Sequence, residues 1–288
     1  MTAVMVQRRR TLSPRVRAGV LGSYLLLILL ALIYIYPFLI SIAGSFKTDA
    51  DASQNPLSLL PETWTWTAYE RLFTSVPLLQ WTANSAFITV VVTLGRVFFD
   101  SLAGYALSRL RFRGRTVIFA ALIGVMAVPN VVLLIPRFLI LKELGIWDSY
   151  AAMIIPIMID AAGIFIMKQF FESIPISVEE AARIDGAGVF RTFWTIVLPM
   201  ARPALITLFI LSFQGSWNEF AHFVVSRQST DLNTLTTGVA SLTSGEYGNG
   251  NQYPLKLAAA VLMSIPVAVL FFIFQRRIMN TTEGGEKG

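Results

Sequence analysis

The sequence predicts an all-α polytopic membrane protein with six transmembrane helices. Three observations carry that prediction. Apolar residues make up 55% of the 288 positions and charged residues only 14%, against about 25% charge in a soluble domain. The apolar residues gather into six runs, and a spanning helix needs about 20 such residues because its backbone groups must be satisfied within the segment. The Lys and Arg residues are shared unequally between the two sets of intervening loops.

The runs are 18–46, 81–107, 116–141, 150–171, 200–226 and 255–274, with no soluble domain between them. Six spans put both ends on one side, and that side holds 16 of the 23 Lys and Arg, with six opposite and Arg96 inside a span. Basic loops stay cytoplasmic, so the tails 1–17 and 278–288 and the loop 172–199 are expected there. The net charge of +6 records this topology; no basic face alternates with exposed aromatics, which argues against nucleic-acid binding. Arg8, Arg9 and Arg10 resemble an export signal, but the apolar run that follows is too long and lacks a cleavage site, so an uncleaved first span is expected. Without Cys, disulfides and thiolate metal sites are excluded, and the single His222 cannot form a histidine cluster.

The first outside loop, 47–80, carries Pro56, Pro61 and the aromatics Trp64, Trp66 and Tyr69. Such aromatics anchor at the bilayer interface or mark a protein contact. Thr67 and Glu70 have capping-box spacing and predict a short helix. In the second span Arg96 and Asp100 are four apart, on one helix face, and are expected to neutralise each other. The alternating arginines of the next inside loop, Arg109 to Arg115, suit anionic headgroups, worth about 1 kcal/mol per charge. Pro129, Pro136, Pro156 and Pro266 are expected to kink their spans.

In the loop 172–199, Ser177 and Glu180 have Ser-x-x-Glu form, predicting a capped helix over 178–184. Ala181 and Ala182 keep one side of it thin. Asp185 to Gly188 break it, because glycine accepts backbone angles other residues resist. A second helix from Val189 presents Phe190, Phe193 and Trp194, and Pro199 is expected to stop it. In the fifth span Gln214, Asn218 and His222 recur at i, i+4 and i+8, flanked by Trp217 and Glu219. This polar stripe either faces a pathway or joins helices; Asp160, midway along the fourth span, is a further candidate. The last outside loop, 244–253, is rich in Gly and Asn and expected to be flexible.

The stretch EAARIDGAGVFRTFWTIVLP, from Glu180 to Pro199, resembles the signature loop of the membrane subunits of bacterial ABC importers. Glu-Ala-Ala, Gly186, Ile196 and Leu198-Pro199 have that loop's order and spacing. With AGYALSRLRFRGR, KELGIWDSYAAMIIP, WNEF and IPVAVLFFIFQRR, the likeness runs over about residues 20 to 277 and is narrowest to the second permease subunit of maltose-type carbohydrate importers.

The resemblance implies the type I permease fold over 18–277. It also implies that Glu180, Ala181, Ala182, Asp185, Gly186, Ile196, Leu198 and Pro199 couple the chain to a dimeric ATP-binding subunit. ATP and Mg would be held by that partner, with no cofactor, catalytic residue or metal ligand in this chain. The other implied partners are a second permease subunit, an extracytoplasmic solute-binding protein, a sugar and the lipid bilayer. Gln214, Trp217, Asn218, Glu219 and Asp160 are then candidates for the sugar pathway. The tail departs from the family's ending, with Glu283 and Glu286 at apolar or small positions. No GxxxxGK[ST] phosphate loop occurs, so the chain is not the motor. The competing class is an ATP-independent secondary transporter or channel, which would favour inverted repeats and paired carboxylates; neither is visible.

Overall fold

The structure is a computed structural model that describes residues 14–242 and 252–283. Arg8 to Arg10, the Gly- and Asn-rich stretch 244–251 and the last five residues lie outside the described residues. No strand occurs among the described residues, and the chain divides into two compact units, residues 1–70 with 251–261 and residues 71–250 with 262–288.

The first unit is built on α1 (Pro14–Ser45), α2 (Asp49–Gln54) and the start of α3 (Thr67–Thr74). None of the apolar window of α1 is buried, which is how a helix that is apolar all round presents itself to lipid. After α1 the chain turns at Phe46, whose ring meets Trp64 at 5.7 Å, Trp66 at 4.9 Å and Tyr69 at 5.2 Å. Trp64 and Trp66 stay 64% and 65% exposed, so the predicted anchors are held in place by a ring cluster while still facing out. The helix expected at Thr67 is present.

In the second unit α4 (Leu78–Arg109) is the longest element and packs against α8 (Ala161–Ser173) and α12 (Arg202–Trp217). Between them run α5 (Arg115–Met126), a 3-10 turn (Asn130–Leu133), α6 (Leu134–Glu143) and α7 (Tyr150–Ile154). After α8 come α9 (Ile176–Ile184), α10 (Val189–Thr192), a π-helical turn (Phe193–Val197) and α11 (Leu198–Met200). Beyond α12 lie α13 (Ala221–Ser226), α14 (Leu235–Ser241) and α15 (Tyr253–Glu283), whose early turns belong to the first unit.

Residues 19–45, 78–109, 150–173 and 253–275 are each long and apolar enough to cross a membrane; the total reaches six only if each of two bent pairs is one span. The third run is interrupted at Pro129, as expected, and more sharply than by a kink. It bends by 100° between Met126 and Asn130, where Pro129 takes an extended ψ of 130°. Proline has no N–H to donate and its ring disfavours helix in the residue before it. Pro136, in the first turn of α6, interrupts nothing, and α15 continues through Pro266. The fifth run breaks after Trp217, with Asn218 as C-cap, and resumes at Ala221.

Small residues set the spacing of α4 and α8. A Cβ on Gly104 would lie 2.8 Å from Met167 Cβ and 2.9 Å from Lys168 N, and one on Gly163 would run into Asp100 and Leu208. Glycine lets the two backbones approach. Around this contact Tyr105, Met167, Phe171, Phe193, Val197 and Leu208 form one buried cluster, and Ile88, Val92, Met153 and Phe223 a second.

At one edge, Asp148 sits at φ 59° and its Oδ1 accepts from Gln228 N at 2.7 Å and Ser229 N at 2.8 Å. Trp147 Nε1 donates to Val225 O at 3.0 Å, so the loops before α7 and after α13 are stitched together.

Two outcomes are expected. Gly163→Ala should cost about 1–3 kcal/mol through overpacking, read as thermal unfolding in detergent, whereas Gly124→Ala, with open space around it, should cost nothing. The amides of Gln228 and Ser229 hold the Asp148 carboxyl below its ordinary value. Its contribution should be complete above about pH 4, the unfolded value, and lost as pH falls through the depressed one. An Asp148→Asn variant should therefore show a flatter acid limb in a plot of melting temperature against pH.

Candidate functional site: a helical knob and a polar cavity

The knob begins with Pro175, whose extended ψ of 133° makes it the N-cap of α9. Ser177 therefore falls inside the first turn, and the predicted Ser-x-x-Glu cap does not form: the helix starts too early for it. Glu180, freed from that role, points outward and makes no hydrogen bond or ion pair among the described residues. The helix ends where the glycine predicted it. Gly186 lies at φ 79°, its N–H donates to Arg183 O at 3.0 Å, and Ala187 N donates to Ala182 O at 2.9 Å. These are the paired bonds of a Schellman end.

Gly188 caps α10. The chain then runs on through the π-helical turn and past Pro199, contrary to the expected stop. It breaks at Ala201, where Pro203 in the first turn of α12 has no N–H for the Pro199 carbonyl, and the two halves meet at 80°.

Helical periodicity gives the knob two faces. Inward go Glu179 (1% exposed), Ala182, Thr192, Phe193 and Val197. Outward go Glu180, Ala181, Asp185 and Gly186, with Ile184 86% and Phe190 74% exposed. Ala182 is thus packing rather than outer surface, Ile196, Leu198 and Pro199 are half-buried, and of the three aromatics only Phe190 stands fully clear.

Glu179 is the residue sequence reading passed over. Its Oε1 pairs with Arg109 Nε at 2.9 Å and its Oε2 accepts from Tyr105 Oη at 3.1 Å. Arg109 Nη2 also donates to the carbonyls of Phe171 and Ile174, at the end of α8. Removing one partner of such a buried pair costs about 3–5 kcal/mol. A signal existed: residues 179 and 182 share a face, and Ala182 is apolar. Of the loop arginines assigned to headgroups, Arg109 is consumed here and Arg115 Nη2 donates to Ser108 O at 3.1 Å; Arg111 and Arg113 remain exposed.

A cavity of about 620 Å³ lies where three helices are interrupted: at the α5–α6 bend, between α7 and α8, and between α12 and α13. Its polar lining is Arg96, Asn130, Arg137, Asp160, Glu219 and His222. Asp160 Oδ2 accepts from Gly163 N at 3.2 Å and caps α8; Glu219 Oε1 accepts from His222 N at 2.8 Å at the start of α13. The other pathway candidates are elsewhere. The break at Asn218 destroys the i, i+4, i+8 stripe, Gln214 is exposed away from the cavity, and Trp217 is buried with Nε1 donating to Met263 O at 3.0 Å. Arg96 and Asp100 do not pair: Arg96 Nε donates to Ile157 O at 2.7 Å, and Asp100 Oδ1 accepts from Asp160 N at 3.1 Å. Arg96, expected to serve Asp100, and Arg137, for which the sequence suggested no role, are cavity residues instead.

The profile of a family described as binding-protein-dependent transport system inner membrane component matches residues 100–282. The chain belongs to that family. The match contains the knob, both its buried anchors and most of the cavity lining. This permease is 33% identical over 263 residues to the arabinooligosaccharides transport system permease protein AraQ of Halalkalibacterium halodurans, covering 90% of this chain and 93% of the relative. It is 32% identical to the inner membrane ABC transporter permease protein YcjP of Escherichia coli, covering 99% and 100%. Among solved structures it resembles a chain of a bacterial ABC transporter involved in the import of the acidic polysaccharide alginate, with TM-score 0.80 and 27% identity over 92% of this permease and 98% of that chain.

The left-handed turn makes a test of the knob's geometry. Gly186→Ala should weaken residues 176–192 by about 1–2 kcal/mol through backbone strain alone, since no atom crowds the site. Gly186→Asn should cost less, and Gly188→Ala, at φ −75°, almost nothing. Hydrogen exchange of the knob amides measures all three.

Proposed function

We propose that this permease is one of two transmembrane subunits of an ATP-driven sugar importer, with both termini and the knob in the cytoplasm. The reading rests on one observation above the others: the knob holds an apolar patch of Ile184, Val189 and Phe190 out beside Glu180 and Asp185 while its other face is fastened to the bundle. Exposed apolar groups rimmed by polar ones mark an interaction surface. The occupant is a groove of an ATP-binding subunit, which carries the ATP and Mg that this chain has no phosphate loop to hold.

The sugar reading is supported by the relative named for arabinooligosaccharides; another, 28% identical and from Yersinia pestis, is named for sn-glycerol-3-phosphate, a phosphorylated polyol with similar hydroxyl groups. Arg96, Asn130, Arg137, Asp160 and Glu219 give the cavity the donors and acceptors that hydroxyl groups require, and a second permease chain supplies the other wall. ATP binding closes the ATPase pair, draws the two knobs together and turns the pathway outward to an external solute-binding protein; hydrolysis resets it. The protein is then a two-state element whose equilibrium its partners bias.

The test is Ile184→Asp with Phe190→Asp, which changes exposed side chains only. Recovery of the ATP-binding subunit with the affinity-purified permease should fall at least ten-fold, and ATP-dependent uptake into vesicles with it, at an unchanged permease level. Undiminished ATP-driven uptake would remove the docking reading, and uptake that needs no ATP would favour a secondary transporter.

A further inference from the structure

The chain enters the knob from α8, which starts at the cavity, and leaves it into α12, which ends beside the cavity. α4 is a third strut between the two and has no chain connection to the knob. Its last turn carries Arg109 and, one turn earlier, Tyr105; its middle carries Arg96 on the cavity wall. Arg96 and Arg109 are about 20 Å apart along the axis, at roughly 1.5 Å per residue. The strut is rigidly backed, because Gly104 and Gly163 bring α4 into backbone contact with α8. The knob joins that pair through polar contacts of unusual concentration: one carboxylate, Glu179, takes both Arg109 and Tyr105, and the same guanidinium closes two carbonyls at the end of α8.

The hydrogen bonds of Tyr105 to Glu179 and of Arg109 to the two carbonyls are directional, with the Arg109–Glu179 ion pair beside them; directional contacts between fixed groups resist sliding, which apolar side-chain packing alone does less well. The π-helical turn and the bend at Ala201 leave the knob's other exit, into α12, the more deformable one.

We propose that Glu179, Arg109 and Tyr105 form the transmission joint of this permease, making the knob and the α4–α8 pair one body so that displacement of the knob moves the cavity wall. The inference rests on the docking reading above. The three are positioning residues: none belongs to the exposed docking face, and none lines the cavity. Glu179 is 1% exposed and Arg109's side chain 9%.

The experiment uses the full transporter in vesicles and measures ATP hydrolysis and sugar uptake on the same preparation. Glu179→Gln keeps an acceptor for Tyr105 and loses the charge. It should assemble with the ATP-binding subunit and keep hydrolysis within about two-fold, while sugar moved per ATP falls at least five-fold. Glu179→Asp should restore at least half of that ratio. Tyr105→Phe leaves the ion pair and hence the fold intact, and should lower the ratio about two-fold. An assembled Glu179→Gln transporter with an unchanged ratio overturns the proposal. So does a Glu179→Gln chain that fails to assemble while Tyr105→Phe couples normally, since the cluster is then structural only. Failure of the docking reading looks different: the ATP-binding subunit would be retained by the Ile184→Asp, Phe190→Asp variant.

Discussion

A helix interrupted within a bilayer frees backbone N–H and C=O groups that lipid cannot satisfy, and that constraint organises this permease. Five charged side chains on or against the broken segments answer it. Arg96 takes the carbonyl of Ile157, Asp100 the amide of Asp160, Asp160 the amide of Gly163, and Glu219 the amide of His222. Arg109 takes the two carbonyls where α8 gives way to the knob. These charges are therefore splints for broken helices first. Because the breaks converge, three of the splints, Arg96, Asp160 and Glu219, line one space, and the polar cavity follows from the same constraint.

What was legible in the sequence was local. Apolar length marked the spans, and Gly186 between two short amphipathic stretches marked the knob, since a left-handed residue is a property of one position. Proline signals were ambiguous in degree: Pro129 turns the chain through 100°, while α15 continues through Pro266. The difference lies in what surrounds each one, which periodicity does not encode. The fifth run shows the same limit. Its interruption at WNEF carries neither Gly nor Pro, and the polar pair Asn218 and Glu219 reads equally well as a stripe on an unbroken helix.

Side-chain partners were the least legible. Glu179 and Glu180 are adjacent and chemically identical, yet one is sealed against Arg109, 70 positions earlier, and the other is open to solvent. Arg96 and Asp100, four apart on one helix, looked self-sufficient, and each instead serves the chain between α7 and α8. Spacing identifies neighbours within a helix; it says nothing of a backbone group brought beside it by another.

The alternation of faces on α9 has a further consequence. The residues that fix the knob to its own bundle and those left exposed sit on one short helix yet share no side chain. Positions 180, 181, 184 and 185 can change with little penalty to folding, because nothing inside the permease depends on them. On the docking proposed above, lineages can re-specify which motor they pair with by surface drift alone, leaving the interior machinery as it was inherited.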